Sequence, residues 1–280
     1  MNTHGTWTGS GHRLPSPSVR LPDNAYLKTA SMAAGSISDH PFFLLSYALR
    51  LLRVVVLLSL WRNVLAEHVS SGPLSLAGVL TYTLIAEVFG EQLNVRTSLN
   101  QAFWEGTLVI RFLRPLGLVR QLSAEMVGPW VIDFVLFSIP LLAVAPLLGV
   151  DPRPATPALG ALFVVSLLLA ILVGLAIELL TGAVVVSLEQ PVWLIEWIRT
   201  AITTLMSGAL LPLAYYPWGL GEVFAWLPFA AMAWAPLAIY TAAGNPLALL
   251  ASQIVWVVIL WPLGMWLWRT NREKLVSYGG

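Results

Sequence analysis

The chain has no cysteine, only two lysines and few charges of either sign, and each shortage excludes a class of chemistry. Without cysteine there is no disulfide, no thiol nucleophile and no thiolate metal site. The lysines are Lys28, preceded by Leu27, and Lys274, preceded by Glu273. A phosphate-binding loop needs a glycine-rich turn whose N–H groups face the phosphates, followed by a lysine that neutralises them. No such loop can be written here, so any nucleotide-driven step falls to another chain. Charged residues make up 10% of the 280, against about 25% in a typical soluble domain. That is too few to cover a water-facing surface. A net charge of +1 gives no strong attraction to nucleic acid. His4, His12, His40 and His68 show no metal-ligand spacing. No serine or aspartate pair is placed for proteolysis inside a membrane. No catalytic, cofactor-binding or metal-binding residue is expected, and the chain reads as a non-enzyme.

What is present is apolar surface. Hydrophobic residues make up 58% of the chain, with thirteen tryptophans and a mean hydropathy of +0.78. Indoles suit the boundary between hydrocarbon and water, being apolar in body and polar at the N–H. A helix that crosses about 30 Å of hydrocarbon needs about 20 mostly apolar residues. Six segments qualify, near 42–62, 74–95, 125–149, 157–188, 192–213 and 246–268. Between the last two lies 214–245, apolar but interrupted by Pro217, Pro228 and Pro236. It is expected to form two short helices that dip into the membrane and return, since a seventh crossing would put the termini on opposite sides. Residues 24–40 mix Tyr26, Leu27, Met32 and Ile37 with polar residues. They read as an amphipathic helix along the inner interface, with a polar linker as the alternative. Residues 1–23 are rich in Gly, Ser, Pro and Thr and read as a disordered cytoplasmic tail, Met32 being a second possible start.

Orientation follows from the basic residues. With both termini in the cytoplasm, only Arg62 and Arg153 fall outside, and the other basic residues lie inside or in the inner half of a helix. That is the bias the positive-inside rule describes. Several charges then sit within spans: Arg50 and Arg53 in the first, Glu87 and Glu91 in the second, Asp133 in the third and Glu178 in the fourth. Arg53, Glu87, Asp133 and Glu178 come out about two to three turns from the cytoplasmic ends, and Arg50 joins them. They form an expected charge layer, which either fixes helix register or lines a substrate or proton path; pairing alone meets the burial cost, so the register reading is preferred. The small residues Ala170 and Gly174, four apart, weakly suggest a subunit interface.

One inside loop is too apolar for a linker. It carries Phe103, Trp104, Glu105, Gly106, Leu108, Arg111, Phe112, Arg114 and Pro115. A short helix near 103–116 with a mixed aromatic and basic face suits protein docking, and equally suits binding to lipid headgroups. Its Glu105-Gly106-Thr107-Leu108 and Leu113-Arg114-Pro115-Leu116 resemble the first cytoplasmic loop of bacterial ABC-2-type permeases. A second stretch, from Ser207-Gly208 through Pro212, Tyr216-Pro217-Trp218 and Leu227-Pro228-Phe229 to Pro236 and Gly244, resembles their outer re-entrant region. The resemblance covers roughly 24–275.

The resemblance implies an all-α integral membrane protein of six spans in a bacterial inner membrane, with an N-terminal interfacial helix, a coupling helix near 103–116 and a re-entrant hairpin near 214–245. It implies a pump of two permease subunits, identical or paralogous, and two ATPase subunits. ATP and Mg would be bound by the ATPases and none by this chain. The cargo would be a drug, antibiotic, lipid-like or glycan compound, moved outward by alternating access. Gly208, Pro212, Pro217, Pro228 and Phe229 would form the outer gate, and Trp197, Thr203 and Thr204 a pathway wall. The competing readings are a proton-coupled secondary transporter using Glu87, Asp133 and Glu178, and a non-transporting membrane scaffold.

Overall fold

The computed structural model describes residues 24–38, 42–66, 74–112, 116–188 and 190–271. The expected tail over 1–23, and Arg114 and Pro115 of the expected docking loop, lie outside them. The described residues are all-helical: α1 (Ala25–Ser38), α2 (Phe43–Ala66), α3 (Leu76–Val88), α4 (Gly90–Leu93), α5 (Leu99–Trp104), α6 (Leu108–Phe112), α7 (Leu118–Asp133), α8 (Ile139–Val144), α9 (Pro157–Leu188), α10 (Val192–Met206), α11 (Leu220–Ala225), α12 (Pro228–Met232), α13 (Trp234–Tyr240) and α14 (Pro246–Thr270).

Four helical stretches are long and apolar enough to cross a membrane: Leu44–Leu65, Leu118–Val144, Pro157–Leu188 and Pro246–Thr270. The second joins α7 to α8 through one π-helical turn, Phe134–Ser138. Its cause is Pro140, which has no N–H to give and would clash with the carbonyl four residues back. Helix starts are set chemically. Ser75 accepts from Gly78 N at 3.1 Å, and Asn245 accepts from Leu247 N at 3.0 Å. Proline opens α9, α12 and α14, where its fixed φ fits and its missing N–H costs nothing.

α3 is the central helix. From Val79 to Val88 every residue is buried, and this 13-residue helix packs against α2, α8, α13 and the π turn. At Phe89 the chain kinks into α4. α9 and α14 make the most extensive contact in the fold. The glycines of α9 admit close neighbours from the same chain: Gly174 faces Val95 and Met232, and Gly182 faces Leu99, Trp268 and Phe103. The small-residue spacing at Ala170 and Gly174 is therefore used within the chain, where an interface with another subunit was the weaker expectation. α1 lies against α7, with Gly128 so close that a Cβ there would fall 2.0 Å from Ala30 O.

The stretch 214–245 holds three short helices, α11 to α13, where two were expected. Pro217 and Pro228 start helical turns. Pro236 falls in the first turn of α13, where a missing donor breaks no hydrogen bond. The interruptions come from Trp218 and Gly219 at positive φ and from Ala233 at φ −125°. Every residue of α13 is buried.

Candidate functional site

The loop after α4 forms an elbow of two helices, α5 and α6, where one helix near 103–116 was expected. The break is a Schellman closure. Gly106 stands at φ 67°, Thr107 N donates to Ala102 O at 2.9 Å and Gly106 N to Phe103 O at 3.3 Å. Glycine takes this left-handed conformation without a Cβ penalty. The Glu105-Gly106-Thr107 sequence carries that signal, and reading the loop as continuous helix missed it.

The elbow sorts its side chains sharply. Leu99 and Ala102 are fully buried, and Phe103 and Leu108 nearly so. They pack with Leu122 of α7, Leu179, Ala183 and Val186 of α9, and Trp268 of α14. The Phe103 and Trp268 rings stack with centroids 6.4 Å apart, while Trp268 Nε1 donates to Leu179 O at 2.8 Å. Trp104 is 75% exposed and Ile110 56%, with Glu105 and Gly106 also exposed. Of the residues expected to dock a partner, Trp104, Glu105 and Gly106 thus form the exposed apex, and Phe103 and Leu108 are its buried footing. The Phe112 side chain lies outside the described residues.

Arg111 is part of the footing too. Its Nη1 donates to Glu125 Oε2 at 2.8 Å and to Ser98 Oγ at 3.1 Å. Ser98 and Gln121 also donate to Glu125. This cluster fastens α6 to the first half of α7, so Arg111 is not free to meet a partner's surface.

A second polar cluster fastens α5 to α9 and α10. Arg199 of α10 faces Glu178 of α9 at 2.9 Å and Glu196 at 2.7 Å. Thr97 donates to Glu178 at 3.3 Å and Asn100 to Glu196 at 2.7 Å. Arg199 also reaches Val95 O at 3.4 Å. Glu178 is 1% exposed and Arg199 6%. Arg199, Glu196 and Asn100 were not singled out from sequence; an arginine and a glutamate three apart on an apolar helix were the available signal.

The remaining charges of the expected layer form a separate group. Arg50 donates to Asp133 at 2.6 Å and to Glu87 O at 2.7 Å, with its guanidinium 4.1 Å from the Phe137 ring centroid. Arg53 donates to Glu87 Oε2 at 2.5 Å. Glu178 is not among the partners of either arginine. The layer is two ion-pair groups: one ties α2 to α3 and α7, the other ties α9 to α10 and the elbow.

At the far end of α10, Gly208 stands at φ 80°. Tyr82 of α3 donates to Gly208 O at 2.7 Å, and Trp234 N to Ser207 O at 2.8 Å. Gln253 of α14, fully buried, donates to Ser166 O at 3.0 Å and Ala231 O at 2.8 Å and accepts from Ser166 Oγ at 2.8 Å. These bonds fasten the segment holding Pro212, Pro217, Pro228 and Phe229 onto the bundle. Along α10, Trp197 is 73% exposed and Thr204 is exposed. Thr203 is 3% exposed, so it faces the core and not a pathway on that exposed side. Among the described residues no cluster of three or more His, Asp or Glu is placed to hold a metal ion.

The fold and these contacts define the class: an all-α, multi-pass membrane protein whose polar chemistry joins helices to one another. A family model described as ABC-2 family transporter protein matches residues 75–279. The chain belongs to that family. No curated protein and no solved structure matches it.

Proposed function

We propose that this chain is the permease subunit of an ATP-driven exporter, moved by a separate ATPase that grips the α5–α6 elbow. The observation that carries this reading is the elbow itself, with an exposed Trp104, Glu105, Gly106 and Ile110 apex on a footing tied by apolar packing and two ion-pair clusters to α7, α9, α10 and α14. A lipid-binding loop needs no such bracing. A lever does, because displacement at its tip must reach the spans. With no phosphate loop in this sequence, ATP and Mg would be held by the partner.

The full assembly would hold two ATPases and a second permease, identical or paralogous. The six crossings would be α2, α3 with α4, α7 with α8, α9, α10 and α14, with both termini in the cytoplasm of a bacterial cell. α3 and α10 are shorter than a full span; α3 is buried among its neighbours, and a short exposed helix such as α10 is accommodated by local bilayer thinning or by assembly with other subunits. α1 would be the connecting helix on the inner surface. The cargo would be a hydrophobic or amphipathic compound passing along the exposed face of α10, with the segment from Gly208 to Phe229 as outer gate. Glu87, Asp133 and Glu178 each face a guanidinium, which favours a register role over proton carriage. The test is Trp104→Ala with Ile110→Ala in the assembled pump. Stimulation of the ATPase by the permease should fall on the order of tenfold or more, as for central anchor residues of an interface, with membrane insertion unchanged. Unchanged stimulation would remove the docking assignment.

A further inference from the structure

A cavity of about 600 Å³ opens between the first half of α2 and the end of α4, lined by Arg50, Arg53, Glu91, Asn94 and Arg96. Its charges are unequally satisfied. Arg50 is consumed by Asp133, Glu87 O and the Phe137 ring, and forms the back wall. Arg53 makes one ion pair, yet its side chain is 58% exposed. Arg96 is exposed and donates to no group among the described residues. Glu91 is 53% exposed, and its ion pair is the long 3.9 Å approach to Arg50. The cavity thus presents two under-used guanidinium groups and one under-used carboxylate. Beside it α2 exposes Leu45, Leu49 and Leu52, on a helix apolar enough to cross a membrane. Exposed guanidinium groups on such a helix reach for phosphates at the bilayer surface.

We propose that this cavity binds the headgroup of an aminophospholipid, its phosphate held by Arg53 and Arg96, its primary ammonium by Glu91, and its chains along the α2 leucines. A phosphodiester alone would draw Arg53 and Arg96 away from Glu91 and leave it the 3.9 Å approach to Arg50, and an ammonium alone would leave both arginines without an anion. A headgroup carrying both meets all three. Guanidinium binds phosphate by charge-assisted hydrogen bonds, and only a primary ammonium has N–H donors for the carboxylate; a quaternary one has none.

The test is native mass spectrometry of the full chain from bilayers containing equal parts phosphatidylethanolamine, phosphatidylcholine and phosphatidylglycerol. Preferential retention of phosphatidylethanolamine is expected. Arg53→Ala with Arg96→Ala should lower that retention on the order of tenfold, whereas Arg53→Lys should keep most of it. Glu91→Gln, which keeps the size of the side chain and a polar end, should abolish the preference over phosphatidylcholine while phosphate-dependent binding persists. Equal retention of the three lipids, preference for phosphatidylglycerol, or insensitivity to these variants would overturn the proposal. Soluble glycerophosphoethanolamine should compete only weakly. Competition as strong as that of intact lipid would make this a site for free phosphodiesters and overturn the lipid assignment. Loss of bound lipid on dimerisation would give the cavity to a second copy, and so would overturn it too.

Discussion

Arg199 is 6% exposed, an arginine held inside the packed helices. It faces two carboxylates, one of them on a different helix and 1% exposed. Removing one member of a buried pair costs more than the pair contributes, because the survivor stays charged and unpartnered. Arg199→Leu should therefore lower the unfolding free energy by about 3–5 kcal/mol, read by denaturant unfolding in detergent. Glu178→Gln keeps a polar side chain within reach of Thr97 and should cost less, with cargo preference unchanged. If Glu178→Gln proved the more destabilising, or altered cargo preference while leaving stability intact, Glu178 would belong to the pathway and the register role would fall.

Elements, not residues, decide whether a push at the elbow travels. α10 touches the rest of the chain chiefly through α9, α12 and α5, and the polar part of the α5 contact is Asn100 on Glu196. Asn100→Ala should leave docking and ATP turnover near normal but reduce export, since the elbow would move without drawing α10. A parallel fall in turnover and export would show that Asn100 serves docking instead. The same elements show what a sequence can reveal. The long apolar runs announce α2, α9 and α14 through length and hydropathy alone. Proline and capping residues mark several helix starts. The elbow's break was legible at Gly106, yet the aromatic and basic pattern around it obscured that local signal. Partner choice among charges was not legible. Depth along a span can be counted from the sequence, but which helices are neighbours cannot. So Glu178 was grouped with Arg50 and Arg53, and Arg199 was passed over. Arg111 was taken for an exposed docking residue because its partner, Glu125, lies beyond the loop.

At the scale of the whole molecule, two sets of ion pairs divide the bundle. One holds α2 to α3 and α7; the other holds α9, α10 and the elbow together. α3, a member of the first set, is buried from Val79 to Val88 and joined to the segment after α10 by Tyr82 on Gly208. The elbow is attached to both sets, through Asn100 on Glu196 and through Arg111 on Glu125 of α7, and the segment after α10 is bonded to α3 by Tyr82 and to α14 by Gln253. The sequence holds no phosphate-binding loop, and the proposed function places the energy source for transport on a partner ATPase. The most direct measurement is cargo accumulation in sealed vesicles, with the permease reconstituted alone and then with its ATPase, ATP and Mg. The account predicts no uphill accumulation from the permease alone, even under an imposed proton gradient, and accumulation when all components are present. Sustained uphill movement by the permease alone under a proton gradient would contradict it.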